Sequence, residues 1–122
     1  MTRKPLSNDE FKKAGYKTID WIANYWENIE NQKINPDSEP NDVLNLLPKS
    51  APLDGEAFDK VIDDLNKIIL PNILHWQHPG FFGYFPANSS GSAVLGDLIS
   101  SGLGVIGMLW STSPACTELE IR

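Results

Sequence analysis

Charged residues are distributed very unevenly along this 122-residue chain. All eight lysines lie between Lys4 and Lys67, whereas Asp97 is the only formal charge between positions 68 and 117. Charged side chains avoid protein interiors, so the pattern indicates a solvated helical first half and a buried second half. The alternative is that residues 68–117 are covered by protein outside this chain, because the charge-rich part is too small to cover them all.

Charge and cysteine content argue against several classes of partner. The net charge of −6 disfavours nucleic acid, since phosphate binding needs clustered lysine and arginine. The single cysteine, Cys116, cannot form an internal disulfide or a cysteine-based metal site, and it permits a cytoplasmic location. Asp97 and neighbouring serines interrupt the apolar run, and the first ten residues lack a signal peptide's apolar stretch. We therefore expect no membrane span.

The spacing of apolar residues predicts a mainly α-helical segment. Ser7 and Glu10 have the spacing of a capping box, and the apolar stripe that follows predicts a helix over about 8–30. Four more helices are predicted: after a cap at Asn41 or Asp42, over about 55–69 ending at Pro71, from Ser89 or Ser90 to Leu103, and from Ser113 onward. On the helix that ends at Leu103, we expect Ala93, Val94, Leu98 and Ile99 to face inward. The last helix has no stop signal, so we expect the chain to be part of a longer protein.

Residues 75–86, HWQHPGFFGYFP, contain five aromatic residues, two histidines, two prolines and two glycines. No regular helix or strand favours this mixture, so we predict an irregular loop that lines a pocket or an interface. His75 and His78 lack nearby ligands for a metal, and we expect each ring to bond to loop backbone. The aromatic residues are compatible with a core cluster or with a platform for an aromatic substrate.

Two long segments, HWQHPGFFGYFPANSS (75–90) and GMLWSTSPACTELE (107–120), resemble the amino-terminal part of the group II pyridoxal-phosphate-dependent amino-acid decarboxylases. This resemblance implies an α/β fold of PLP fold-type I for the complete protein, an obligate homodimer and an L-amino-acid substrate, with aromatic amino acids as the first expectation. Residues 1–85 would form a helical dimerisation arm, whose aromatic stripe at Trp21, Tyr25 and Trp26 would contact the partner subunit. Residues 86–122 would begin the PLP-binding large domain.

The resemblance also implies a set of substrate-binding residues. By motif position these are Trp76, Tyr84, Phe85, Pro86, Ala87, Ile106 and Met108. Two of them depart from the animal aromatic decarboxylases, which have Thr in place of Ala87 and Phe in place of Met108, so the amino-acid substrate stays open, as does oxidative deamination in place of decarboxylation. The family's cofactor lysine and its other cofactor-binding and catalytic residues would lie beyond position 122.

Pyridoxal phosphate needs a lysine for covalent attachment, and the charge-poor half contains none. Lys60 and Lys67 fall on the polar face of a predicted amphipathic helix, where solvated lysines are expected. We therefore predict that this chain alone neither binds the cofactor tightly nor decarboxylates. An alternative of a different class is a helical interaction module without catalysis, because the predicted helices over 8–30 and 55–69 are both amphipathic.

Overall fold

The computed structural model describes residues 5–85 and 89–122, and every regular element within them is helical. This confirms the prediction of a mainly α segment. The chain divides into two compact units, residues 1–86 and residues 87–122. Within the described residues, no helix is long and apolar enough to cross a membrane.

The first helix, α1 (Asn8–Glu27), begins at the predicted capping box. The backbone N–H of Glu10 donates to the Ser7 hydroxyl at 3.2 Å, and the Glu10 carboxylate accepts from the Ser7 backbone N–H at 2.8 Å. The helix ends a little earlier than predicted, because Asn28 leaves helical geometry and its side-chain amide donates to the Asn24 carbonyl at 2.9 Å. A 3₁₀ turn over Ile29–Asn31 follows.

The second helix, α2 (Asp42–Leu46), is short, and the prediction of a side-chain cap is wrong. Asn41 precedes the helix with a φ of 79° and makes no side-chain capping bond. The Asp42 carboxylate accepts from the backbone N–H of Glu39 at 2.8 Å instead, so it closes the turn that leads into the helix.

The third helix, α3 (Phe58–Asp64), continues as a π-helical turn over Leu65–Ile69 and a 3₁₀ turn over Leu70–Asn72. The predicted helix over 55–69 thus starts later and changes its winding. Pro71 lies inside the final turn rather than after it, at a position where a missing N–H is tolerated.

Side chains complete the end of this helical segment, where carbonyls lack partners within the helix. The Asn72 amide donates to the Ile68 carbonyl at 2.6 Å, and a ring nitrogen of His75 contacts the Leu70 carbonyl at 3.1 Å. The Ser38 hydroxyl also bonds to the Asn72 side chain, which ties the connector before α2 to the same helix end.

Helix α1 meets the α3 segment through polar contacts, and two aromatic rings of α1 stack on each other. The Trp21 indole N–H donates to the Asn66 side chain at 2.8 Å, and Lys17 pairs with Asp59. The rings of Trp21 and Tyr25 stack at 6.0 Å. Among the described residues, Ala14 is the apolar residue that reaches full burial, so the apolar core of this unit is small.

In the second unit, both predicted caps are confirmed. Ser90 accepts from the Ala93 N–H at 3.2 Å at the start of α4 (Gly91–Leu103), which ends at Gly104 with a φ of 60°. Ser113 accepts from the Cys116 N–H at 3.3 Å at the start of α5 (Pro114–Ile121). Glycine suits the left-handed conformation at the end of α4 because it carries no Cβ.

The prediction that Ala93, Val94, Leu98 and Ile99 of α4 face inward is wrong for this chain. Leu98 and Ile99 are 49% and 62% exposed, Ala93 is also exposed, and Val94 is only partly covered. The helix carries several large apolar side chains, but this short unit offers too little surface to cover them. An apolar helix that is not covered indicates a surface that another segment of protein can bury.

Candidate functional site

The aromatic-rich segment forms an irregular loop, as predicted. Its first half consists of two consecutive turns, in which the His78 N–H donates to the His75 carbonyl at 3.0 Å and the Phe81 N–H donates to the His78 carbonyl at 2.9 Å. Gly80 allows this path, because a Cβ there would lie 3.0 Å from the Ile34 side chain and 3.1 Å from the His78 ring. The turns fix the position of Phe81 relative to His75 through backbone bonds.

His75 anchors the loop to three other segments and is only 2% exposed. Its backbone N–H donates to the Ile34 carbonyl at 3.0 Å. Its Nε2 lies 3.1 Å from the Leu70 carbonyl, and its Nδ1 lies 2.9 Å from the Tyr25 hydroxyl. A carbonyl can only accept, so Nε2 carries the proton, and Tyr25 then donates to Nδ1 in the neutral ring. The expectation that each ring bonds to loop backbone is therefore wrong for His75, whose ring contacts the preceding helical turn, and is confirmed for His78, whose ring accepts from the Gly80 N–H at 2.9 Å.

Burial keeps both members of this pair uncharged. Burial lowers the pKa of His75 from its usual value of 6.5, and the Leu70 carbonyl opposes this effect only in part. Burial likewise raises the pKa of Tyr25 above its usual value of 10.0. With both ring nitrogens engaged, His75 is a structural anchor rather than a free acid, base or metal ligand.

Three rings of the loop pack together into an aromatic cluster, defined here as Trp76, Phe81 and Tyr84. The Trp76 ring lies 5.3 Å from Phe81 and 5.8 Å from Tyr84, and Phe81 lies 6.4 Å from Tyr84. These distances are typical of favourable aromatic pairs. Trp76 remains 41% exposed and Tyr84 81% exposed, so one side of the cluster is open to a ligand or to another segment of protein.

Tyr84 has a φ of 54°, in the left-handed region that bulky residues rarely adopt. Such a conformation costs about 1–2 kcal/mol per residue. Gly83 precedes it, and a Cβ at that glycine would lie 3.3 Å from the Phe81 ring. The sharp path at 83–84 therefore places the Tyr84 ring on the cluster at a cost in backbone energy, a combination that is common at functional sites.

The predicted substrate-binding residues occupy different parts of the structure. Trp76 and Tyr84 are together in the aromatic cluster, whereas the next side chain, Phe85, is fully exposed. Pro86 and Ala87 lie outside the described residues. Ile106 and Met108 belong to the second unit, where both are exposed. A substrate-binding role for all seven positions stays a prediction.

Sequence reasoning missed Tyr25, which it assigned only to an apolar stripe of the first helix. Tyr25 and His75 are 50 positions apart, so no local pattern links them. The available signal was indirect: a histidine expected in a buried loop needs a partner for each ring nitrogen.

The lysines that the structure describes are all exposed and do not fit a cofactor that attaches through a buried lysine. Lysines Lys17, Lys33, Lys60 and Lys67 are exposed and pair with carboxylates. The hydrogen bond that Lys60 donates to the Glu56 carboxylate raises the pKa of Lys60, the reverse of what a nucleophilic amine needs. Among the described residues, no group of three histidine, cysteine or acidic side chains could hold a metal ion.

Comparison with known proteins gives a consistent result. Residues 40–122 match the model of the pyridoxal-dependent decarboxylase conserved domain. The chain is 43% identical to a phenylacetaldehyde synthase of Arabidopsis thaliana over 97% of its own length, and 43% identical to an aromatic-L-amino-acid decarboxylase of Bos taurus over 94%. It spans 24% of the length of each of these relatives.

A solved structure shares the same fold over this region. The crystal structure of Catharanthus roseus tryptophan decarboxylase in complex with L-tryptophan matches 96% of this chain with a TM-score of 0.90 and 38% identity. This chain corresponds to 25% of that protein. The likeness covers both units, each of which therefore has a counterpart in that structure.

Proposed function

The chain belongs to the pyridoxal-dependent decarboxylase family, and from that premise we propose that it is the amino-terminal part of a PLP-dependent amino-acid decarboxylase. Its role in the complete protein is to supply part of the substrate pocket and part of the subunit interface. Pyridoxal phosphate, when bound, supplies the electron sink for loss of carbon dioxide. This chain contributes no lysine for that cofactor, so its residues bind and orient rather than react.

The observation that carries this proposal is the aromatic cluster of Trp76, Phe81 and Tyr84. Its open side presents ring faces to a ligand. An aromatic amino acid placed there loses water from its ring and gains offset or edge-to-face contacts, each worth about 0.5–1.5 kcal/mol beyond burial. We therefore propose an aromatic L-amino acid as the substrate. From the resemblance we also propose substrate-binding roles for Phe85, Pro86 and Ala87, and for Ile106 and Met108 toward the pocket of the neighbouring subunit.

The first unit supports a second part of the proposal, a helical dimerisation arm over residues 1–85. Helix α1 exposes the large apolar side chains of Phe11, Tyr16 and Ile19, and contact of such side chains with solvent is unfavourable. Burial against a second subunit removes that surface from water. Residues 86–122 then begin the PLP-binding large domain of a homodimer. We also propose a cytoplasmic location, which the single cysteine of this chain permits.

The decisive experiment uses the longer protein that contains this chain, supplied with pyridoxal phosphate. Release of labelled carbon dioxide from carboxyl-labelled L-tyrosine, L-tryptophan and L-histidine is measured, together with the second product. An amine from an aromatic substrate supports the proposal. An aldehyde would assign the protein instead to the reaction named in its Arabidopsis thaliana relative. No carbon dioxide from any of the three amino acids would contradict the proposal.

A matched pair of variants tests the aromatic cluster itself. Tyr84→Ala removes a ring contact of about 0.5–1.5 kcal/mol, so KM for the aromatic substrate is expected to rise roughly 2- to 10-fold. Phe82→Ala removes a ring that lies in the same loop, is 94% exposed and stands outside the aromatic cluster, so it is expected to leave KM unchanged. Equal KM values for the two variants would remove the aromatic cluster from the pocket.

The isolated 122-residue chain offers a separate test of the cofactor assignment. Incubation with pyridoxal phosphate followed by borohydride reduction is expected to leave no lysine modified stoichiometrically, because these lysines are exposed to solvent and paired with carboxylates. A single lysine labelled to completion would contradict this assignment. A monodisperse chain with cooperative melting would instead favour the alternative of a helical interaction module.

A further inference from the structure

We propose that Tyr25 is a positioning residue for the aromatic cluster, acting from helix α1 through the ring of His75. This inference rests on the proposed function, because the cluster is the proposed wall of the substrate pocket. It assigns to the arm helix a role in shaping the site in addition to any role in subunit contact. Tyr25 itself touches no residue of the cluster in the ring contacts of the described structure.

The first step is the contact between α1 and the loop. The Tyr25 hydroxyl donates to His75 Nδ1 at 2.9 Å, and the two ring centroids are 5.7 Å apart. The opposite ring nitrogen donates to the Leu70 carbonyl. The imidazole is therefore held from two sides, and removal of either partner frees its rotation about the side chain.

The second step runs along the backbone. The His75 carbonyl accepts from the His78 N–H, and the His78 carbonyl accepts from the Phe81 N–H. Each of these bonds closes a turn of four residues, so a shift of His75 also displaces Phe81. Trp76 follows His75 directly in the chain, so the same shift of His75 also moves the Trp76 ring of the cluster.

The third step is the balance of energies at Tyr84. The left-handed backbone conformation of Tyr84 favours movement of this residue away from the cluster, whereas its ring contacts with Trp76 and Phe81 oppose that movement. Both terms are of the order of 1 kcal/mol. A small displacement of Trp76 and Phe81 is therefore enough to change the population of the Tyr84 conformation.

The test compares Tyr25→Phe with Thr18→Val in the longer protein that contains this chain. Each change deletes one hydroxyl from α1, but the Tyr25 hydroxyl bonds to His75, whereas the Thr18 hydroxyl donates to the Ala14 carbonyl of the same helix. A 4-fluorophenylalanine at position 81 reports the cluster by ¹⁹F NMR without reference to activity. We expect Tyr25→Phe to shift and broaden this signal and Thr18→Val to leave it unchanged.

Kinetics supply the second measurement. Loss of a hydrogen bond of about 1 kcal/mol predicts a roughly fivefold rise in KM for the aromatic substrate, with kcat within about twofold. A purely structural role would lower the amount of active protein and hence kcat, and would leave KM alone. Tyr25→4-aminophenylalanine restores a donor at the same place and is expected to restore both KM and the ¹⁹F signal.

If Tyr25→Phe fails to fold, Tyr25→4-methylphenylalanine keeps the volume without the donor and replaces it in both measurements. An unchanged ¹⁹F signal and unchanged KM would overturn the inference. The ¹⁹F comparison still decides the matter if the protein releases no carbon dioxide, so failure of the proposed function is distinguishable from failure of the positioning role.

Discussion

Substitution of His75 is the most stringent test of the contacts that stabilise the first unit. Replacing it by alanine removes two ring hydrogen bonds, to Tyr25 and to the Leu70 carbonyl, each with a net value of about 1 kcal/mol. It also empties the space of a ring that is 2% exposed, which adds about 1–2 kcal/mol. We therefore expect His75→Ala to lower the free energy of unfolding by about 3–4 kcal/mol.

His78→Ala is the matched control, since it makes the same change three residues later in the loop. The His78 ring is half-buried and accepts one bond, from the Gly80 N–H at 2.9 Å. Its removal is expected to cost about 1 kcal/mol. The predicted difference of about 2–3 kcal/mol between the two variants depends on burial and on the number of bonds, because the chemistry of the substitution is identical.

Urea unfolding of the longer protein that contains this chain, followed by far-ultraviolet circular dichroism, measures both variants. With a urea dependence of about 1–3 kcal/mol per molar, His75→Ala should lower the midpoint by roughly 1–4 M. If a variant is already unfolded without urea, titration with a stabilising osmolyte recovers the comparison. Equal losses for His75→Ala and His78→Ala would refute the assignment of His75 as the anchor of this unit.

Three further outcomes follow from the same contacts. Burial lowers the pKa of His75, so as pH falls the unfolded chain takes up the imidazole proton at a higher pH than the folded chain does. Stability that is present above pH 6.5 should therefore be lost as the pH falls through the lower pKa of the folded chain. Between pH 7.5 and pH 5, the urea midpoint of the wild type should fall further than that of His75→Gln. Gly80→Ala should destabilise the fold by about 1 kcal/mol or more, because the added Cβ makes close contacts. Gly15 has open space around it in α1, so Gly15→Ala should raise the free energy of unfolding by the roughly 0.5–1 kcal/mol that glycine costs inside a helix, and the melting temperature should rise with it. Ser7→Ala should cost about 1 kcal/mol in thermal unfolding, and an unchanged melting temperature would contradict the capping box.

The local signals in the sequence predicted the helix starts well where a side chain bonds to its own neighbourhood. Ser7, Ser90 and Ser113 each cap the helix that follows, as expected, because an N-cap involves residues only three positions apart. The predictions failed where distant parts of the chain decide. The winding of 65–72 was not visible in the apolar period, and there Trp21 and Ser38 supply contacts from far along the chain.

The aromatic composition of 75–86 by itself determined that this stretch is irregular and passive in chemistry, since it has no lysine, no acid and no ligand set. The resemblance carried by 75–90 and 107–120 determined the family. Only the tertiary structure decided which rings meet, that His75 is neutral and buried, and that Tyr25 holds it from 50 positions away. The physical reason is that caps and turns are short-range bonds written into neighbouring residues, whereas burial and partner choice arise only when separate helices pack.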